Sequence, residues 1–217
     1  PNDDVSWENQ VQMNVGIDTR FLNDKVSLSL DYFKKTVDDL LFSPNLSLYL
    51  GVPSFPTTNI GSTESTGIDA TISLNTSVGA LAISSDLNFT TAENKVVAIN
   101  NGDRYIWGAG YGIPYRNIVR FEEGYSPGYF FGYVTDGIFQ SQEEIDNHAT
   151  QNTGTSPGDI RFVDINSDGI INDSDRTQIG DPFPDYTIGW NLNLAYNAFD
   201  LSVFTYASVG NDIYRAY

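Results

Sequence analysis

Apolar and small polar residues alternate with a period of two through three separate pairs of segments. Val11, Met13, Val15 and Ile17 are interleaved with Gln12, Asn14, Gly16 and Asp18. After Asn23-Asp24-Lys25 the pattern resumes: Val26, Leu28, Leu30 and Tyr32 against Ser27, Ser29 and Asp31. A second pair sets Ile68, Ala70, Ile72 and Leu74, then Leu81, Ile83, Leu87 and Phe89, against Asp, Thr, Ser and Asn, with a turn at Ser77-Val78-Gly79. The third runs Ile188, Trp190, Leu192 and Leu194, turns at Asn197-Ala198-Phe199-Asp200, and continues Leu201 to Tyr206. Period two sustained over eight residues is a strand with two different faces, and two such runs about a short polar turn are a hairpin. The chain therefore reads as all-β and antiparallel.

The polar face is small and uncharged. A soluble sandwich carries Lys and Glu on its outer face. A barrel with a wet lumen shows small polar groups inside and apolar groups outside. Tyr32-Phe33, Tyr186 and Tyr196 stand at strand ends, where amphipathic rings gather at a membrane interface. Pattern alone leaves two architectures open: a membrane barrel wall, or a large soluble β-protein with its core on the apolar face.

Charge removes other classes. Eleven Lys plus Arg against 28 Asp plus Glu give a net charge of −17, the reverse of a nucleic-acid footprint. The chain has no Cys and one His, His148, so thiol catalysis, Cys-ligated zinc and a multi-His metal site are excluded within it. No apolar run reaches the roughly 20 residues of a spanning helix. Pro1-Asn2-Asp3-Asp4 opens neither a signal peptide nor an initiator Met, and the expectation is that the chain is part of something larger.

Long stretches rich in Pro and Gly separate the pairs, at 43–62 and 99–128. They read as irregular, functional loops. Tyr105, Trp107, Tyr111 and Tyr115 are candidates to stack on sugar or peptide, against the alternative that they pack on the loop's own body. Ser141-Gln142-Glu143-Glu144 is a capping box and predicts one short helix, with His148 exposed at its end. The acidic pairs Asp3-Asp4, Asp38-Asp39, Glu122-Glu123 and Glu143-Glu144 read as solvated charges rather than catalytic carboxylates.

The sharpest local motif is Asp164 to Asp175. Asp164, Asn166 and Asp168 take positions 1, 3 and 5 of a twelve-residue calcium loop and Gly169 position 6. Ile170 would offer its carbonyl at position 7 while its side chain packs inward, and Asn172 and Asp175 take positions 9 and 12. The expectation is a structural Ca2+ that stiffens the loop. The alternative is a surface loop of Asx turns holding water.

Several strings, in order along the chain, carry a family resemblance. They are Trp7-Glu8 with Asn14-Val15-Gly16-Ile17-Asp18; Asp31-Tyr32-Phe33; Asn59-Ile60-Gly61 with Gly67-Ile68-Asp69; Asp136-Gly137-Ile138-Phe139-Gln140-Ser141; Pro157-Gly158-Asp159-Ile160-Arg161-Phe162-Val163-Asp164; Ile179-Gly180-Asp181-Pro182-Phe183-Pro184-Asp185-Tyr186; and Gly210-Asn211-Asp212-Ile213-Tyr214. Together they resemble the SusC/RagA-type TonB-linked outer-membrane transporters of Bacteroidetes. The resemblance implies a barrel of about 22 strands with an N-terminal plug. It implies import of glycan oligomers or peptides, TonB engaged through an N-terminal region, a SusD-type surface lipoprotein over the mouth, and a wall in outer-membrane lipid. Residues 1–217 would be a non-catalytic stretch from the later half of that barrel, without plug, TonB box or closing strand, and with about seven to ten strands. Residues of about 97–185 would form extracellular loops. The rival reading is a soluble, secreted, calcium-binding β-domain that binds carbohydrate.

Overall fold

The computed structural model describes residues 5–42, 57–100, 102, 104–108 and 118–215. Six strands form one antiparallel sheet: β1 (Asn9–Phe21), β2 (Val26–Asp38), β5 (Gly61–Val78), β6 (Leu81–Ile99), β13 (Tyr186–Tyr196) and β14 (Phe199–Val209). Their order in space is their order in sequence, β1-β2-β5-β6-β13-β14. The three predicted hairpins are all present. The second turn lies at Gly79-Ala80, because Ser77 and Val78 still pair with Ala82 and Leu81 in the ladder. The wall holds six strands rather than seven to ten. The other described strands are short and belong to the excursions between β2 and β5 and between β6 and β13.

Register converts the alternation into two continuous faces. One row runs Ile17–Leu30–Ala70–Phe89–Ile188–Ala207, and the next on the same face Thr19–Leu28–Ile72–Leu87–Trp190–Thr205. The opposite face carries Gly16–Asp31–Asp69–Thr90–Thr187–Ser208. There the small polar side chains bond one another across strands: Thr71 Oγ1 donates to Asn88 Oδ1 at 2.9 Å and Thr90 Oγ1 to Asp69 Oδ1 at 2.6 Å. Among the described residues no second layer covers the apolar face. Val15 is 62% and Ile72 47% exposed. Trp190 on that face satisfies its indole N–H on Ser85 Oγ at 2.9 Å.

Two tyrosines measure the apolar band. Tyr186 and Tyr196 begin and end β13, and a separation of ten residues puts them on one face. Ten residues span about 33 Å along a strand. A tilt of about 40° reduces that to about 25 Å, the height of the lipid-facing band of a membrane barrel. Strands β5 and β6, of 18 and 19 residues, continue beyond that band at one end. All three short turns lie at the other end.

The described parts of the long excursions are not wholly irregular. β3 (Leu41–Phe42) pairs with β4 (Thr58–Asn59). Between β6 and β13 the chain folds a four-stranded sheet in the order β12-β9-β8-β7, built from β7 (Tyr105–Trp107), β8 (Val119–Glu122), β9 (Tyr129–Tyr133) and β12 (Arg176–Gly180). A ribbon of β10 (Thr135–Ile138) and β11 (Ile160–Phe162) and a helix α1 (Gln142–Asp146) complete the module. The buried apolar side chains among the described residues are Ile60, Val96, Tyr129, Phe131 and Phe139. All lie in the excursions or where β6 meets them.

The wall orientation makes a quantitative prediction for the full-length receptor. Ile72→Lys should destabilise the barrel by about 2–4 kcal/mol, the cost of a lysine near mid-bilayer on a lipid-facing strand. Thr71→Lys, one residue along and on the opposite face, should cost far less. Urea titrations of folding into liposomes compare them, and equal costs would contradict the assignment of faces.

Candidate functional site

Arg120 organises the module. β8 places Arg120 and Glu122 two residues apart, hence on one face of the strand. The Arg120 guanidinium lies 3.4 Å from the Phe131 ring centre, 3.7 Å from Tyr105 and 4.5 Å from Trp107. Guanidinium is planar and weakly hydrated, so it stacks on aromatic faces where an ammonium would lose too much hydration. Arg176 adds a second cation 4.8 Å from the same Phe131 ring. Glu122 is buried and accepts from Arg120 at 3.2 Å, from Arg104 Nε at 3.0 Å and from the Tyr129 hydroxyl. Burial first, and then the bond to Glu122, push the Tyr129 phenol well above its ordinary value, so Tyr129 remains a donor.

This arrangement differs from the sequence expectation in two ways. Glu122 is not a solvated charge: it is buried while Glu123 is exposed. Tyr105 and Trp107 are half-buried, and both turn a face to Arg120. Tyr111 and Tyr115 lie outside the described residues. Arg120 and Tyr129 were not singled out from the sequence, and Glu122 only as half of an acidic pair. The Arg-x-Glu spacing on a β-pattern carried the signal, but nothing local says which face of so short a strand is buried.

The 164–175 loop follows β11 and ends in a single 3-10 turn, Asp173–Asp175. Its side-chain oxygens accept backbone amides at the calcium-loop spacings. Asp164 accepts from Asp168 at 3.2 Å and Gly169 at 2.8 Å, Asn166 from Asp168 at 2.9 Å, and Asp168 from Ile170 at 2.8 Å. Asn172 caps the 3-10 turn by accepting from Ser174 at 2.8 Å. Gly169 has φ +84°, the sharp turn expected of it. Asp175 has 0% exposure and accepts from Ile165 at 3.0 Å and Asn172 at 2.8 Å. Those amide bonds, that of Asn172 foremost, hold its carboxyl below the usual carboxylate range, with the Asp164 carboxyl also beside it. The Ile170 side chain does not pack inward: it is 55% exposed, because the peptide around it bridges to Thr150 instead. Among the described residues no group of three or more His, Cys, Asp or Glu side chains is arranged to hold a metal ion.

Helix α1 is capped as predicted, with Ser141 Oγ accepting from Glu144 N at 3.3 Å. The return bond from the Glu144 carboxylate reaches Gln140 N at 2.9 Å, one residue before the cap. His148 is at the helix end but half-buried rather than exposed, its ring edge-on to Phe139 at 5.2 Å.

Two outcomes follow for the module within the intact receptor. Glu122→Ala leaves Arg120 buried without its carboxylate and should cost about 3 kcal/mol, read as faster hydrogen exchange in β8 and β9. Asp175 has a lowered folded-state pKa, so its contribution is fully present above the unfolded Asp value of about 3.9. It is lost as pH falls through the lower folded value. Exchange at the Ile165 and Asn172 amides should therefore rise only in that acid range, and Asp175→Asn should abolish the pH dependence.

Comparison with known proteins agrees along the whole chain. A family model described as TonB dependent receptor-like, beta-barrel matches residues 1–211. TonB-dependent receptor P3 of Formosa agariphila is 36% identical over 214 residues, 98% of this chain and 21% of that protein. TonB-dependent receptor SusC of Bacteroides thetaiotaomicron is 29% identical over 218 residues, 98% of this chain and 20% of that one. The structure of the RagAB peptide transporter matches 97% of this chain and 22% of its own at a TM-score of 0.77 and 19% identity, a likeness of fold. The chain thus spans about a fifth of the length of these relatives. The family match replaces the soluble-domain reading with a barrel wall, in keeping with an apolar face that no layer covers among the described residues. The six-stranded sheet is a membrane wall, and the chain belongs to the TonB-dependent receptor family as a stretch of its outer-membrane β-barrel.

Proposed function

We propose that the full-length protein is a TonB-dependent importer of glycan oligomers or peptides, in which this chain is non-catalytic. Its six strands are wall, and the module between β6 and β13 stands at the extracellular mouth. The observation that carries this is the pairing of faces and ends: apolar side chains outward, small polar ones inward, short turns at one end and a folded module at the other. Short turns at the periplasmic end and long excursions outside are the rule for outer-membrane barrels. TonB would be engaged by a region outside this chain, and a SusD-type lipoprotein would sit over the mouth.

A second proposal concerns the 164–175 loop: a calcium ion as its structural occupant in the receptor. The observation in favour is that the side-chain oxygens of Asp164, Asn166, Asp168 and Asp175 accept backbone amides at the calcium-loop spacings about the turn at Gly169, hard oxygen donors of the kind calcium takes. Asp164, Asn166, Asp168, Asn172, Asp175 and the Ile170 carbonyl would hold the ion, with Asp175 exchanging an amide bond for it.

Deleting residues 101–183 from the full-length receptor should leave a heat-modifiable barrel in the outer membrane, because β6 pairs directly with β13. Import of labelled glycan oligomers and peptides should be lost, and unchanged import would count against the role of the module. For calcium, calorimetry on the purified receptor should show binding at or below millimolar concentration that Asp168→Ala removes. Absence of heat at that concentration would leave the loop as Asx turns alone.

A further inference from the structure

The module leaves the wall at Asn100 and rejoins it at Tyr186. A segment tied only at its two ends can swing as a lid. This one is also tied along its length, from β6 and from the segment after β14. Val96 of β6 is fully buried, donates to Tyr125 O at 2.9 Å, and accepts from Gly124 N at 2.9 Å. Thr91 Oγ1, also on β6, donates to Asp185 O at 2.7 Å.

The tightest tie comes from beyond β14. Asp212 N donates to Asp181 O at 2.7 Å, and Asp181 N donates back to Asp212 Oδ2 at 2.9 Å. The second of these is charge-assisted. The Asp181 carboxylate in turn accepts from Ser126 Oγ and from Phe183 N. Two residues on, the Tyr214 ring meets Phe130 of β9 with centroids 6.4 Å apart. The backbone is cut to fit this contact. A Cβ on Gly180 would lie 2.8 Å from Asp212 Oδ2, and one on Gly210, at φ +94°, would lie 2.2 Å from Asp185 Oδ2. Glycine admits both the close approach and the left-handed backbone.

We infer that the Asp181–Asp212 clamp latches the module to the wall, so that it is a fixed part of the mouth and not a moving lid. Hinge closure draws on segments with few buried contacts and solvent-exposed backbone bonds. The module has a buried core of its own, and its ties to β6 and to the segment after β14 include the bonds of the fully buried Val96. The aperture on this side is then set by where the module stands. Any opening movement has to come from another body.

The test uses the full-length receptor in cells and rests on the import reading only for its transport arm. Asp181→Cys with Asp212→Cys introduces a pair into a stretch that has no other cysteine. The Asp212 N to Asp181 O bond at 2.7 Å brings the two backbones together, and a disulfide spans about 4.4–6.8 Å between Cα atoms. The latch predicts nearly complete cross-linking on mild oxidation. Import of a fluorescein-labelled peptide pool and of a labelled oligosaccharide pool should then agree within about twofold between oxidised and reduced forms, since the bond freezes nothing that moves. Poor cross-linking, or a loss of import on oxidation that reductant restores, would overturn the inference. Gly180→Val supplies an independent arm: it should raise protease cleavage within 118–185 by about tenfold while the barrel stays heat-modifiable, and unchanged cleavage would also overturn it. If the wild-type receptor imports neither pool, the importer proposal fails, and cross-linking and proteolysis still decide the latch.

Discussion

A peptide group in hydrocarbon has no water to bond, so each N–H and C=O in a membrane wall must find a partner on the next strand. That requirement shapes the six-stranded sheet. Its ladders are antiparallel and nearly unbroken, with one register shift at Ser62/Thr63, above the apolar band. Side chains are then sorted by parity alone. Most rows of the sheet keep their character, apolar toward lipid and small and polar toward the lumen, and the β14 edge departs from it, where Phe204 and Tyr206 pair with Asn191 and Gly189 on the lumen face. A one-residue slip in any strand would exchange the two faces, which is why long hairpins with short turns suit such a wall.

The same constraint explains where the buried core is not. Lipid takes the place of the second layer, so the wall does not build one from protein. The module rises beyond the lipid and obeys the rules of a water-soluble domain. It buries aromatic rings, satisfies a buried carboxylate with two arginines and a tyrosine, and closes its loops on their own amides. Arg120 links the two chemistries there, offering its edge to Glu122 and its faces to the rings.

Wall and module are joined through β6 and the segment after β14. The long strands β5 and β6 carry the sheet above the bilayer, and Val96 and Thr91 receive the returning chain there. The GDPFPDY string at 180–186 and the GNDIY string at 210–214 are separate in sequence but meet in space, carboxylate against glycine.

The amino-acid order alone determined the three hairpins, the capped helix, the place of Tyr186 and Tyr196 at the ends of β13 and the family, whereas Tyr32 and Phe33, expected at a strand end, lie in the middle of β2. Each of these is written in short-range spacing: period two, a capping box, or strings of consecutive residues. What tertiary structure decided are contacts between residues far apart in the chain. Arg120 finds three rings from two strands, His148 is half-covered by Phe139, Ile170 stands exposed beside its bridge to Thr150, and Asp212 reaches back 31 residues to Asp181. No local pattern specifies these, because the choice of which face is buried and which segments meet is made only when the sheet orders its strands and brings distant loops together at one end.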